Sequence, residues 1–136
     1  REGRAREEAL AVLAPQRCFE PPDLGAGARR FGVSVQLYTL RSPDNWGIGD
    51  FADLAQLARR AAAAGADFVG LNPLHALFAA DPGHSSPYSP SSRHALNVLY
   101  IAVEAVPELA ACAAARVQLA DPAFQAELAR LRSLPA

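Results

Sequence analysis

The spacing of apolar and polar positions changes several times along this chain, and each change marks an element. Residues 31–40, Phe-Gly-Val-Ser-Val-Gln-Leu-Tyr-Thr-Leu, are rich in β-branched and aromatic side chains and predict a strand, with Gly32 allowing close backbone approach. A loop, Arg41-Ser-Pro-Asp-Asn-Trp-Gly-Ile-Gly, follows it. Phe51, Leu54, Ala55, Ala58, Ala61 and Ala62 then recur at helical spacing, while Gln56, Arg59 and Arg60 fall towards the other side. Asp50 reads as the N-cap of this helix, Asp53 complements the positive end of its dipole, and Gly65 stands where a left-handed C-terminal cap belongs. Residues 67–72 predict a second short strand, ended by Pro73. Strand, helix and strand make a βαβ unit, which requires parallel pairing.

A Pro- and Ser-rich stretch over residues 75–93 predicts a long loop, a feature uncommon in compact domains and usually functional. Residues 95–106 carry Leu96, Val98, Leu99, Tyr100, Ile101 and Val103 and predict a strand or extended segment. Residues 109–119 are helical in composition, and Asp121-Pro reads as a cap with proline at the first position of a helix over residues 124–131. Before the first strand, residues 5–14 suit a helix by composition, although Leu10-Ala-Val-Leu could equally be a buried strand. Residues 20–30 are rich in Pro and Gly and read as a linker. Polar and aromatic blocks cluster where the apolar strands stop, which is where an α/β barrel keeps its working residues.

Composition narrows the partners. Hydrophobic residues make up 51% of the 136, so the chain is globular rather than disordered. The formal net charge is -1 and every basic residue is arginine, without a run or stripe directed at nucleic acid or a membrane surface. No apolar run has the roughly 20 residues that span a bilayer. Cys18 and Cys112 fit no metal or redox spacing and read as reduced thiols of a cytoplasmic protein. The charged start, Arg1-Glu-Gly-Arg-Ala-Arg-Glu-Glu, resembles no secretory leader and has no initiator methionine, so the expectation is a piece of a longer protein.

Among candidate chemical groups the acids come first, because cleaving a sugar bond usually takes a carboxylate pair. Asp50 and Asp53 are explained by helix capping, Asp67 precedes a strand at the wrong end, and Asp44 and Asp81 are loop acids. No catalytic pair emerges. His75, His84 and His94 lack zinc-site spacing, and the serines lack a nucleophile elbow, so neither metal nor serine chemistry is expected. Gly47-Ile-Gly is too short for a dinucleotide fingerprint. Binding residues remain. Tyr88 stands between prolines, so its ring would be held at low entropic cost for stacking on a sugar face, with Ser86 and Ser89 offering hydroxyls beside it. Trp46 could be a second platform or a plug under the barrel mouth.

Together the motifs Gln36-Leu-Tyr-Thr-Leu-Arg-Ser, Asn45-Trp-Gly-Ile-Gly-Asp-Phe, Leu71-Asn-Pro-Leu-His-Ala-Leu, Ser86-Pro-Tyr-Ser-Pro-Ser-Ser-Arg and Leu96-Asn closely resemble the bacterial amylomaltases. These are the 4-α-glucanotransferases, or disproportionating enzymes, of glycoside hydrolase family 77. The resemblance spans roughly residues 17–106. It implies an α/β fold, the first βα units of an incomplete (β/α)8 TIM barrel with flanking segments. The implied division is residues 1–16 as the end of a preceding domain or a helix, 17–30 as linker, 31–106 as barrel units with a glucan-binding loop, and 107–136 as an alanine-rich helical segment.

The same resemblance implies transfer of α-1,4-glucan segments with retention, through an aspartate-linked intermediate, with a glutamate as acid/base and a second aspartate as stabiliser. Those carboxylates belong to later strands, so none in this chain is catalytic. Ser86, Pro87 and Tyr88 carry over as substrate-binding residues, with Asn45, Trp46, Asp50 and Asn97 as supporting positions of mainly architectural role. Maltooligosaccharide, starch or glycogen chains are the implied partners, with no cofactor, no metal, no nucleic acid and no membrane. The competing expectations are a non-catalytic glucan-binding or interaction module and a truncated product that does not fold stably.

Overall fold

The structure is a computed structural model that describes residues 9–134. It divides into two units, residues 1–30 and 31–136. In the first, residues 9–14 form neither of the two elements expected of them, and residues 5–8 of that expectation lie outside the described residues. Leu10, Val12 and Leu13 are exposed there, so among the described residues of this unit no apolar packing favours either conformation. Within the expected linker, Pro22–Gly27 makes a 3₁₀ helix.

The second unit opens with the βαβ unit. Strand β1 (Gly32–Val35) pairs in parallel with β2 (Phe68–Leu71), in the register Gly32 to Phe68 through Val35 to Leu71. Gly32 is required by that register, since a Cβ there would stand 2.4 Å from the Phe68 carbonyl oxygen. Asp67 secures the near end of the sheet, because its amide donates to Phe31 O at 2.8 Å and its carboxylate accepts from Phe31 N at 3.1 Å.

Helix α1 (Phe51–Ala63) is bounded by local chemistry at both ends. Asp50 Oδ1 accepts from Ala52 N and Asp53 N at 2.8 and 3.0 Å, and Asp53 Oδ2 accepts in return from Asp50 N at 3.1 Å. This reciprocal pair is a capping box. At the other end Gly65 has φ 85°, its amide donates to Ala62 O, and Ala66 N donates to Ala61 O. That is a Schellman motif, which only a residue tolerant of positive φ terminates without strain.

Three expected elements come out differently. The strand expected over residues 31–40 stops at Val35, and Leu37–Thr39 winds into a 3₁₀ turn. Leu37 N is taken by a side chain, Asn72 Oδ1, and Gln36 O is taken by Thr39 N and Oγ1, so no ladder groups remain to extend β1. The expected 75–93 loop begins and ends in a strand pair: β3 (His75–Ala76) lies antiparallel to β4 (Ser92–Leu96) with a register shift between its two residues. The extended segment expected over residues 95–106 ends at Leu96. Beyond it, Asn97 Oδ1 accepts from Leu99 N at 3.1 Å and turns the chain into 3₁₀ turns at Val98–Tyr100 and Val103–Ala105.

The C-terminal segment is helical but interrupted. Helices α2 (Pro107–Ala111) and α3 (Ala113–Ala120) are separated at Cys112, whose backbone is extended, and no glycine or proline marks that break. Helix α4 (Pro122–Arg132) starts as expected, with Asp121 Oδ1 accepting from Ala123 N and Phe124 N and proline in its first turn.

Among the described residues the buried apolar core is thin: Leu37, Ala61, Tyr100 and Leu128. Phe31, Phe68, Leu96, Val98 and Leu99 stay more than half exposed, and the parallel pair leaves both outer strand edges unpaired. Parallel sheets are normally covered on both faces, so this one is short of partners.

The capping box gives a direct test. Asp50→Ala should cost roughly 1 kcal/mol of stability and lower helical circular dichroism, whereas Arg60→Ala on the exposed side should do neither. Equal urea midpoints for Asp50→Ala and the parent would refute the assignment.

Candidate functional site

The ends of β1 and β2 are held together by one side chain. Asn72 is buried at 6% exposure; its Oδ1 accepts from Leu37 N at 2.7 Å, and its Nδ2 donates to Pro73 O at 2.8 Å and to Tyr100 Oη at 3.3 Å. Tyr100 is itself buried and packs its ring 6.0 Å from that of Phe51 in α1. Asn72 and Tyr100 were not picked out from the sequence as site residues. An asparagine between an apolar strand and a proline is the signal that could have found the first, since a polar side chain there is carried into the interior with the strand end. Beside it, the hydroxyl of Tyr38 donates to Gln36 Oε1.

The 45–50 turn lies over the end of β1. Asn45 is 1% exposed, and its side chain donates to Asp53 Oδ2 at 2.7 Å and Leu40 O at 3.3 Å while accepting from Gly47 N at 3.1 Å. Gly47 has φ 102°, and Gly49 comes so near Leu37 O that a Cβ would stand 2.1 Å from it. Helix α4 closes the turn from the other side: Arg132 Nε donates to Asn45 O at 2.6 Å. Trp46 is half-buried and meets Phe124 edge-on, with ring centroids 5.4 Å apart. Its buried Nε1 has no acceptor among the described residues.

Ser86, Pro87 and Tyr88 stand elsewhere, on the 77–91 loop between β3 and β4. Consecutive tight turns build that loop, through Asp81 N to Phe78 O, His84 N to Asp81 O and Ser89 N to Ser86 O at 3.0–3.1 Å. Phe78 and His84 stack at 4.3 Å, and Ser91 Oγ ties the base to Ala76 O and Leu77 O. In the last turn Pro87 and Tyr88 are the central residues, and proline suits the first central place. Tyr88 is 66% exposed, with Ser86 and Ser89 exposed beside it. Asn97 is buried at the wall of a cavity of about 490 Å³ that Phe78, His84, Ser85, Leu96 and Leu99 also line.

The structure therefore brings Asn45, Trp46 and Asp50 into one turn, joins Asn97 to the root of the long loop, and leaves Ser86, Pro87 and Tyr88 on that loop's tip. Asp50 and Asp53 are committed to backbone amides, Asp67 to Phe31 N and Asp121 to α4. Glu127 is pulled below the ordinary carboxylate range by its hydrogen bond to Arg130, an exposed pair on α4 that contributes little to stability. No group of three or more potential metal ligands stands together among the described residues.

Comparison with known proteins bears on what this arrangement serves. Residues 35–134 match a family model described as 4-alpha-glucanotransferase. The match continues past Val106, where the resemblance read from the sequence ends, and takes in α4. A 4-alpha-glucanotransferase of Haemophilus influenzae is 46% identical over 121 residues, 89% of this chain and 17% of that protein. Its counterpart in Mycobacterium tuberculosis is 47% identical over 116 residues, 80% of this chain and 16% of that protein. The crystal structure of amylomaltase from Corynebacterium glutamicum superimposes with a TM-score of 0.64 at 41% identity, covering 76% of this chain and 14% of that one. The chain thus spans less than a fifth of the length of the relatives it matches.

The strand-end assembly makes its own prediction. Asn72→Ala strands the buried Leu37 amide and should cost about 1–3 kcal/mol, while Tyr100→Phe, which removes only the longer bond, should cost less. Urea unfolding followed by Trp46 emission checks the order; equal midpoints for Asn72→Ala and the parent would sink it.

Proposed function

The chain belongs to the 4-alpha-glucanotransferase family, and on that premise we propose that it supplies the first βα units of a (β/α)8 barrel together with part of its glucan site. The complete enzyme moves α-1,4-glucan segments between maltodextrin chains. The parallel β1–α1–β2 unit supports the barrel, as do its open strand edges and the exposed Phe31, Phe68 and Leu96, which further units would cover. On this reading residues 1–16 are the end of a preceding domain or a helix, 17–30 a linker, 31–106 barrel units, and 107–136 an alanine-rich segment whose described part is mainly helical.

The observation that carries the binding role is the tip of the 77–91 loop. A turn closed by Ser89 N to Ser86 O, with proline in it, presents the Tyr88 ring at 66% exposure between two serine hydroxyls. A pyranose offers a C–H face to the ring and hydroxyls to the serines. Such a preformed turn spends little ordering entropy on binding.

Chemistry in the complete enzyme proceeds with retention. An aspartate attacks the anomeric carbon while a glutamate protonates the leaving oxygen; an acceptor 4-hydroxyl, in place of water, then attacks that carbon, breaking its ester bond to the aspartate as the glutamate takes back the hydroxyl proton. A second aspartate stabilises the charged transition state. These carboxylates lie on strands other than β1 and β2. The capping roles of Asp50 and Asp53 support that placing, because a carboxylate bound to its own helix amides is a poor nucleophile.

The setting we propose is cytoplasmic. Cys18 and Cys112 are exposed and unpaired, and no helix among the described residues is long and apolar enough to cross a membrane. The partners are maltooligosaccharides and the chains of starch or glycogen. A second reading, a non-catalytic glucan-binding module, draws on the same loop, which is complete without a carboxylate at its tip.

Incubation with maltotriose, beside calorimetric titration, tests this. The chain should bind without releasing glucose or longer oligosaccharides, and Tyr88→Ala should weaken binding about tenfold, the equivalent of one lost stacking contact. Turnover would overturn the placing of the carboxylates, and unchanged affinity in Tyr88→Ala would overturn the role of the loop.

A further inference from the structure

A second cleft, distinct from the 77–91 loop, lies between the 45–50 turn, the first turns of α1 and the Val103–Ala105 turn. It encloses about 360 Å³, within the range of small-ligand pockets, and no residue of the 77–91 loop lines it. Trp46 stands at its wall among Ser42, Asp44, Gln56, Arg59 and Glu104.

Two properties of this wall point to the same ligand. First, the indole is fixed from behind. Phe124 meets it edge-on at 5.4 Å, Arg132 Nε holds the carbonyl of the preceding residue at 2.6 Å, and Gly47 packs against the backbone of Leu131. A ring held so firmly gives up little further freedom when a ligand lies on it.

Second, the polar side chains around it are uncommitted. Among the described residues Asp44, Gln56, Arg59 and Glu104 make no side-chain hydrogen bond or ion pair, whereas Asp50 and Asp53 nearby are used up in capping. The cleft therefore offers free acceptors, free donors and an apolar plate side by side. Carboxylates outnumber its single guanidinium, which disfavours phosphates and carboxylate ligands. The chemistry that suits this set is a neutral polyol with a C–H face: the face for the indole, vicinal hydroxyls for the carboxylate oxygens and the forked guanidinium.

We infer that the Trp46 cleft is a second saccharide subsite, taking a mono- or disaccharide unit of a gluco-oligosaccharide independently of Tyr88. The inference rests on the reading of the chain as a glucan-binding protein, and adds to it a site between the 45–50 turn, α1 and the Val103–Ala105 turn.

Trp46 is the only tryptophan in the chain, so all tryptophan emission comes from the wall of this cleft. Trp46 also lines two neighbouring cavities, and substituting Arg59 and Glu104, which line neither of them, assigns the signal to this cleft. Maltotriose is titrated into the parent, Tyr88→Ala, Arg59→Ala and Glu104→Gln, each followed by emission and by calorimetry. The subsite predicts a saturable change in Trp46 emission that persists in Tyr88→Ala. In Arg59→Ala and Glu104→Gln, both on exposed positions, the affinity read by emission should fall about tenfold with thermal unfolding unchanged.

Emission that stays flat while calorimetry shows binding sensitive to Tyr88 overturns the subsite and leaves the loop's role standing. So does an emission change that disappears in Tyr88→Ala or ignores both cleft substitutions. An emission change that survives while Tyr88→Ala leaves calorimetry untouched supports the subsite and overturns the role of the loop. No binding by either readout overturns both.

Discussion

The amide of Leu37 is buried just past the end of β1, where no neighbouring strand is left to receive it, and the carboxamide of Asn72 accepts it at 2.7 Å. Left unpaired, that amide would carry a desolvation penalty of about 1–3 kcal/mol, which the few apolar residues buried among those described are poorly placed to absorb. Much follows from this one bond. It sets where β1 stops, because the next ladder position is taken. It sets the height of β2 against β1, because Asn72 can reach Leu37 only in the observed register. The other end of the carboxamide donates to Tyr100, which draws the chain after β4 over the same strand ends and against Phe51 of α1.

From Leu37 the constraint passes outward through backbone contacts that leave no room for side chains. Gly49 lies directly against Leu37 O, so the 45–50 turn is seated on the strand end. Asn45 then bonds the turn both to Leu40 O and to Asp53, the residue that completes the cap of α1. Arg132, distant in sequence, holds Asn45 O from α4. A segment whose alanine-rich composition carries no motif is thereby part of what positions Trp46. The 77–91 loop depends on different bonds, its own turns and the tie from Ser91 to the end of β3, and so presents Tyr88 independently of the turn.

What could be read directly from the sequence is what is decided within a few residues. The capping box at Asp50 and Asp53, the left-handed Gly65 and the Asp121-Pro start of α4 are local exchanges of hydrogen bonds, and their spacing is visible in a single string. The parallel pairing of β1 and β2 follows from the short connections around one helix. Strand lengths were not legible, because Leu37 and Leu99 have ordinary strand preferences and are turned aside by asparagine side chains, one of them 35 residues away in sequence. The β3–β4 pair escaped for the same reason: β3 is only two residues long, too short for alternation to register, and its partner lies across the loop. The break at Cys112 has no local signal at all. At the site, Ser86, Pro87 and Tyr88 stand out by composition, and the structure sets them on an exposed turn. Asn72, Tyr100 and Arg132 act through partners far along the chain, which no window of sequence reveals.

The acids show how position, more than identity, decides what a carboxylate can do. A nucleophilic carboxylate must keep a lone pair free towards an anomeric carbon and face a second acid across a sugar. Asp50 and Asp53 meet amides at the positive end of α1, where their charge is most stabilised and least available. Asp67 sits at the start of β2 and holds Phe31, at the end of the sheet away from Asn72. The residues left uncommitted are of another kind: an exposed tyrosine on a turn, a half-exposed tryptophan, and unpaired polar groups near it. Stacking and hydrogen bonding orient a sugar without breaking its bonds. Asp50, Asp53 and Asp67 are thus spent on a helix start and a strand end, whereas Asp44 and Glu104 stay uncommitted among the described residues.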